Sequence, residues 1–431
     1  MSTELIGVLA VVVVLILIIC RMWIGVAMGI VGFVGLVILR GWSQSIVMVA
    51  DVPFTNVNSY TMTVLPMFAL MGMIISESNI GSDLFKACNA WLGQRRGGLA
   101  SATVITSAFL GAICGSHMVG TVILSKVALP EMRRYKYEDG FASSTVCAGA
   151  PLSIIIPPSL PLIMYGIIAE QNIGKLFMSG FVPGIIMTIV FVTLIVIMCK
   201  RNPEIGPRTG KMPLSAKLKA SWGIIPVVIL FIMVLGGVYT GVFTTTESGA
   251  IGSVGAFIIA LCYKSLNGKK ITLALKETVL TVGMVFSLLL GTYIFIKFIT
   301  YSQFPAAVSS FLVNLSAPMP VLMLVLAGIY ILLGMLLPEI PMIILTVPIL
   351  FPALMAVGFD PIWLGIYIVL MMALGAITPP IGMVVFIVSG ISGVSVPKLF
   401  KSCMPFIVAD LIVILLICIF PAIATWLPSL M

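Results

Sequence analysis

Long apolar runs separated by short polar breaks fill almost the whole chain. Leu5 to Cys20 is the first, Ile24 to Leu39 follows directly after Arg21, and Met62 to Ile75 comes after a polar loop holding Asp51, Asn56 and Asn58. The runs do not alternate apolar and polar at every second residue. They therefore predict helices that cross a bilayer, not the strands of an outer-membrane barrel. Further spans are predicted over about 181–199, 222–240 and 246–263. Leu5–Cys20 has no basic region before it and a second run close behind it, so it reads as a retained first span and not as a leader. The stretch from Glu77 to Gly98 is more polar and predicts a segment lying along the membrane surface. From Leu99 the chain re-enters through a run rich in small residues, Gly111, Ala112, Gly115, Ser116 and Gly120, which permit close packing or local unwinding.

Two of the apolar runs are broken by a proline pair: Pro157-Pro158 within Ile-Ile-Ile-Pro-Pro-Ser, and Pro379-Pro380 within Ala-Ile-Thr-Pro-Pro-Ile-Gly. Proline removes a backbone donor and interrupts a helix. At membrane depth such a break persists only inside protein or beside a polar cavity. Pro130 precedes Pro157 by 27 positions and Pro352 precedes Pro379 by the same 27, an offset of 222 between the halves. In that register Tyr137 meets Phe359, Glu138 meets Asp360, Leu152 meets Leu374 and Pro158 meets Pro380 without a gap. The chain reads as an internal duplication. Whether the repeats are inverted depends on an odd number of spans between them, which the sequence leaves open.

Composition sharpens the class. Of 431 residues, 61% are hydrophobic and 9% charged, against roughly 25% charged in a soluble domain. An all-α polytopic membrane protein embedded in a lipid bilayer is the fold class this dictates. The net charge of +9 reports cytoplasmic loops and not nucleic-acid binding. Lys200, Arg201, Arg208, Lys211, Lys217 and Lys219 fill one connection and Lys264, Lys269, Lys270 and Lys276 another. Two spans fit between these clusters and bring both to one side, the cytoplasmic side. The eight cysteines are scattered, with no CxxC and no Cys/His cluster, and read as small apolar residues of helices.

A helix interruption precedes each proline pair: Gly111-Ala-Ile-Cys-Gly-Ser116 in the first half, Gly334-Met-Leu-Leu-Pro338-Glu339 in the second. Each half thus offers a hairpin tip and a broken span. Unwound carbonyls and half-helix C-termini suit a small hard cation such as Na⁺, and half-helix N-termini suit a carboxylate. Ser116, Ser153, Ser159 and Thr378 add hydroxyls at the same places. Packing kinks in a channel or receptor bundle are the bland alternative. Charge at membrane depth is sparse and costs at least about 2.5–3.5 kcal/mol per residue on insertion scales. Glu339 sits at a tip, where it could neutralise a cation or simply face water. Glu247 after three threonines reads as a helix cap, and Lys297 as a snorkelling residue. Asp410 completes that set. His117, the only histidine, stands beside the first tip, for substrate, for a proton or for a local hydrogen bond. No HExxH, Walker lysine or Gly-x-Ser-x-Gly is present, so enzyme readings are poorly supported.

The segments Leu65-Pro-Met-Phe-Ala-Leu-Met-Gly72, Arg96-Gly-Gly-Leu-Ala100, Gly115-Ser116, Leu129-Pro-Glu-Met132, Ile156-Pro-Pro-Ser159 and Phe181-Val-Pro-Gly184 recur in order with Phe243-Thr-Thr-Thr-Glu247, Gly334-Met335, Pro348-Ile-Leu-Phe-Pro352, Phe359-Asp-Pro361 and Thr378-Pro-Pro-Ile-Gly382. Together they resemble the large membrane subunit of tripartite ATP-independent periplasmic (TRAP) transporters. The resemblance implies an elevator-type secondary transporter of about ten to twelve spans, with two re-entrant helical hairpins and two broken helices in inverted repeats. It implies Na⁺ as the coupling ion, with no organic cofactor. It also implies a separate small four-span membrane subunit and a soluble extracytoplasmic binding protein that delivers an organic acid such as a dicarboxylate or sialic acid. The location implied is the bacterial cytoplasmic (inner) membrane. On this reading 1–60 and 201–280 are scaffold, 61–200 and 281–402 carry the two hairpin and broken-helix units, and 403–431 is a C-terminal helix. Gly115, Ser116, Ser153 and Pro157 would hold one Na⁺, and Gly334, Pro338, Ala376 and Thr378 another. Ser116, His117, Ser159, Pro338, Glu339 and Thr378 would face the substrate. The sequence departs from the family at several places. Cys114-Gly115-Ser116-His117 stands where Ser-Gly-Ser and a small residue are usual, Pro338 where an acid is usual, with Glu339 one position later, and Ala150-Pro151-Leu152 with Pro161 is also atypical. The rival readings are a stand-alone Na⁺/dicarboxylate symporter of the same superfamily and, from another class, a channel or intramembrane enzyme.

Overall fold

A computed structural model of the chain describes residues 2–210, 212–315 and 317–431; Lys211 of the basic loop lies outside them. The described residues contain helices and turns and no strand. The first half runs α1 (Thr3–Ile19), α2 (Ile24–Arg40), α3 (Trp42–Val52), α4 (Val64–Glu77), α5 (Ile80–Leu92), α6 (Gly98–Cys114), α7 (His117–Arg134), α8 (Asp139–Ile155), α9 (Leu160–Ile168) and α10 (Ile173–Arg201). The second runs α11 (Leu214–Ser221), α12 (Ile225–Phe231), α13 (Gly237–Tyr239), α14 (Thr245–Cys262), α15 (Gly268–Tyr301), α16 (Phe304–Leu315), α17 (Met319–Leu336), α18 (Glu339–Ala356), α19 (Pro361–Gly375), α20 (Met383–Ser392), α21 (Val396–Ile419) and α22 (Ala422–Thr425). Among the described residues, nine helical stretches of 18 residues or more are apolar enough to cross a membrane. At 17 residues each, α1 and α2 fall just short of that length.

The register of 222 read from the prolines governs the helices. α7 and α18 share both boundaries in it, and α2 with α14, α6 with α17, α8 with α19, and α10 with α21 agree closely. The local signals match as well. Glu138 caps α8 by accepting from the N–H groups of Gly140 and Phe141, and its counterpart Asp360 caps α19 by accepting from Trp363. Such caps satisfy N–H groups that a helix start leaves without partners. At α14 the Thr-rich start forms the capping box foreseen for Glu247, which bonds Thr244.

Packing between the halves is reciprocal. α7 packs on α20 while α18 packs on α9. α8 packs on α21 while α19 packs on α10, and α2 packs on α15 while α14 packs on α4. A two-fold relation produces this exchange. Within one repeat the chain crosses on α1, on α2, along α3–α4, along α8–α9 and on α10, and the α6–α7 hairpin adds no net crossing. Five is odd, so the second repeat enters from the opposite side and the repeats are inverted. The basic residues follow suit. Arg95, Arg96, Arg133, Arg134, Lys200, Arg201, Lys264 and Lys398 fall at one end of the helices, the cytoplasmic end by the positive-inside rule. There the polar loop after α10 is tied to the α5–α6 turn by Gly97 N–H to Gly206 C=O (2.9 Å) and Thr209 N–H to Gly93 C=O (3.0 Å), and Lys398 reaches Glu138 at 2.9 Å. At the opposite end Lys297 joins Asp51 at 3.1 Å, so its snorkelling ends in an ion pair.

In the most apolar 18-residue part of the broken stretch Asp139–Ile168, 94% of the residues are buried, whereas in that of Ile173–Arg201 only 28% are. The interruption therefore sits inside protein, where freed backbone can find partners, and α10 takes the lipid. Where α2 crosses α15 the backbones nearly touch: a Cβ on Gly291 would lie 1.8 Å from the Gly25 carbonyl oxygen. Gly291→Ala is expected to cost about 1–3 kcal/mol by overpacking. Gly283→Ala on the same helix, where no atom lies within 4 Å of the added methyl, is expected to cost nothing. Thermal unfolding of the purified variants in detergent checks both.

Candidate functional site

The first hairpin turns at Gly115-Ser116 and nowhere earlier. Gly111, expected within the interruption, is helical. A Cβ on it would lie 2.5 Å from the Ser153 Cα, so its small size serves the α6–α8 contact. Gly115 adopts φ +60°, a left-handed conformation that favours glycine. Its carbonyl accepts from Leu160 N–H at 3.2 Å, and a Cβ there would lie 2.7 Å from the Pro158 carbonyl oxygen. The first tip is thus seated on the first break, where the Pro157–Pro158 bond is cis. The second hairpin turns at Leu337-Pro338, and Gly334 is likewise helical, packed against Gly375 of α19. Gly375 and Ser153 are register partners, so both hairpins lean on their broken helices at the same level. The Pro379–Pro380 bond is also cis. The breaks differ in setting: Pro157, Pro158 and Ser159 are buried, while Thr378 is half-buried and Pro379 and Pro380 are exposed.

Proline places free oxygens at these turns. A helical carbonyl is normally bonded by the N–H four residues on. Pro338 has no N–H to offer the carbonyl of Gly334, and Pro157 has none for Ser153. The Ala376 carbonyl accepts from Val384 N–H at 3.1 Å, which leaves it one lone pair. The Thr378 hydroxyl donates to Leu374 C=O at 2.6 Å and keeps its own oxygen free to accept. The Ser153 hydroxyl lies 3.1 Å from that of Ser107. Ser116 makes no side-chain cap bond. Ser159 accepts from Leu162 N–H at 3.3 Å, so it caps α9. Among the described residues no group of three or more His, Cys, Asp or Glu stands together. Neutral oxygens of this kind fit a hard monovalent cation.

Between the two tips and helices α4 and α15 lies a cavity of about 210 Å³. Ser116 and Pro338, Met118 and Ile340, and Val119 and Pro341 line it as register partners. The pseudo-two-fold axis therefore passes through it. His117 and Glu339, also register partners, meet across that axis with Nε2 and Oε2 3.3 Å apart, both buried. That is ion-pair distance without hydrogen-bond alignment, and His117 Nδ1 has no partner. Two of the departures from the family pattern thus stand against one another, and the Glu339 tip is buried instead of facing water.

Of the residues read from the sequence, Ser116, Pro338 and Glu339 line this cavity, with His117 on Glu339 and Gly115 directly behind Ser116. Ser153, Ser159, Pro157, Gly334, Ala376 and Thr378 stand behind the tips, outside its lining. Thr281 and Met284 of α15, with Gly72 and Met73 of α4, complete the wall. Thr281 and Met284 carried no sequence signal, since a single hydroxyl in an apolar helix is unremarkable.

Residues 11–423 match the family described as "Tripartite ATP-independent periplasmic transporter, DctM component". The chain is 29% identical over 379 residues to the C4-dicarboxylate TRAP transporter large permease protein DctM of Pseudomonas aeruginosa, covering 87% of this chain and 88% of that one. It is 28% identical, with the same coverage, to the sialic acid TRAP transporter large permease protein SiaM of Vibrio cholerae. Among solved structures, the Alcanivorax borkumensis YdaH transporter shares the fold with a TM-score of 0.62, over 90% of this chain and 89% of that one, at 15% identity.

Replacing either member of the buried pair, as His117→Phe or Glu339→Gln, strands the other without its partner and is expected to cost about 1–3 kcal/mol. The double substitution is expected to cost less than the two singles together, as read by thermal unfolding. Additive costs would show that the contact does not tie the tips.

Proposed function

Because the chain belongs to the tripartite ATP-independent periplasmic transporter family, as its DctM component, we propose that it is the large permease of a Na⁺-coupled importer of organic acids. One observation carries this reading: two hairpin tips, each leaning on its own broken helix, close around a cavity on the axis that relates them. A multi-pass protein of the bacterial inner membrane with this arrangement offers its central site to either side by moving the tips and breaks as one body. We assign the hairpins with α8–α9 and α19–α20 to that moving body, and the glycine-packed crossing of α2 with α15 and of α14 with α4 to the scaffold it moves against.

The oxygens of Gly115, Ser116, Ser153 and Pro157 would hold one Na⁺, and those of Gly334, Pro338, Ala376 and Thr378 another. Bound Na⁺ supplies the positive charge that a carboxylate needs at a site without lysine or arginine. The half-helix N-termini at His117 and Glu339 direct N–H groups to the cavity, and Ser116 adds a hydroxyl. Met73, Met118, Met284 and Val119 exclude water around the ligand body. Neighbouring family members named for C4-dicarboxylates and for sialic acid support an organic acid as cargo. The small four-span subunit and the soluble binding protein are the partners this reading requires.

Reconstitution in liposomes with both partners tests it. Uptake is expected to need an inward Na⁺ gradient and to fall to background when either the gradient or the binding protein is withheld. Uptake that survives loss of the binding protein would favour a stand-alone symporter. Ser116→Leu and Thr378→Leu are each expected to abolish uptake while the protein still elutes as a monodisperse complex; undiminished uptake would remove those residues from the site.

A further inference from the structure

His117, Thr121 and Ser125 follow one another at four-residue spacing, so they form one stripe along α7. All three are deeply buried, at 4%, 1% and 1% exposure. The Thr121 and Ser125 hydroxyls and both His117 ring nitrogens have no hydrogen-bond partner. Thr106 on α6 shares this lack, but several other buried hydroxyls do not. Thr103, Thr145, Ser179, Thr278, Thr292 and Thr346 each donate to a carbonyl about one turn back in their own helix. A mid-helix hydroxyl held away from that easy acceptor needs another partner, because an unpaired buried hydroxyl costs about 1–3 kcal/mol.

The stripe has a direction. It begins at the first tip, beside the axial cavity, and covers eight residues of helix, about 12 Å at 1.5 Å per residue. It ends toward the cytoplasmic end of α7, where the Arg133 guanidinium donates to the Ser392 carbonyl and holds the end of α7 to the end of α20. The repeat partner does not share it. At the same register α18 carries Glu339, Ile343 and Val347, and the latter two are buried and apolar. One side of an otherwise symmetric machine is polar, and it is the side that faces the cytoplasm.

We propose that the His117–Thr121–Ser125 face of α7 is a water-lined exit route for a small hydrated cation leaving the tip site toward the cytoplasm. Its hydroxyls take water or the cation in passing, and the apolar face of α18 gives no equivalent route outward. This rests on the transport reading above and adds to it a one-sided path for release.

Cysteine accessibility tests it in the complete three-component complex. Thr121→Cys, Ser125→Cys, Ile343→Cys and Val347→Cys are exposed to the small cationic thiol reagent 2-(trimethylammonium)ethyl methanethiosulfonate, from the cytoplasmic face in inside-out vesicles and from the outer face in right-side-out vesicles. The parent protein corrects for native cysteines. Thr121→Cys and Ser125→Cys are expected to react several-fold faster from the cytoplasmic face than Ile343→Cys and Val347→Cys react from either. Equal rates at all four positions would overturn the route. As a second readout, Thr121→Val with Ser125→Ala is expected to lower kcat of uptake with KM for the delivered substrate unchanged, and Thr121→Ser to retain the rate. An unchanged kcat in the double variant would likewise overturn it. A parent complex that transports normally while both readouts fail refutes the route alone; a parent complex with no transport refutes the reading on which it rests.

Discussion

Inside a bilayer every backbone N–H and C=O must find a partner within the protein, and the rest of this structure depends on how that constraint is met at two breaks. A proline pair at membrane depth leaves carbonyls without donors. The chain answers by burying the first break among α6, α7 and α10, with the Gly115 turn pressed on Pro158 and accepting from Leu160. A side chain at Gly115 would collide with that backbone. The tip and the break are thus one unit, and the oxygens left over form a polar site within an apolar body.

Duplication turns one such unit into a site with two walls. The two-fold exchange of helices brings the tips together from opposite ends of the molecule. Only residues at equal register can face one another across the axis, which is why His117 meets Glu339 and Ser116 shares a cavity with Pro338. The symmetry is incomplete in chemically pointed ways. One tip carries an imidazole and the other a carboxylate, the first break is buried and the second partly open, and the polar stripe below the first tip has no equal below the second. Identical halves would hold a ligand equally toward both sides. These differences give the molecule an inside and an outside.

Much of this was legible from residues alone. Class and cytoplasmic face follow from apolar run length and basic loops. The register of 222 paired Glu138 with Asp360, which the structure shows to be matching helix caps, and it also relates the bounds of α7 and α18. Gly111 and Gly334 misled in detail. Glycine signals both unwinding and close approach, and only the neighbouring helix distinguishes them: Ser153 in one case and Gly375 in the other. Spacing at 117, 121 and 125 was visible in the sequence, yet polar stripes commonly bond their own helix, and the missing bonds appear only in three dimensions.

The sequence by itself determined that this chain lives in a membrane, that it is built twice, and where each copy breaks. Those properties are local: run length, proline chemistry and register need no knowledge of neighbours. Tertiary structure decided that the repeats are inverted, that two departures from the family pattern stand against each other, and that Thr281 and Met284 of a distant helix wall the cavity. Such facts depend on which surfaces meet across more than 200 residues of chain. Close packing of helices sets those meetings, and no pattern along the backbone encodes the partner.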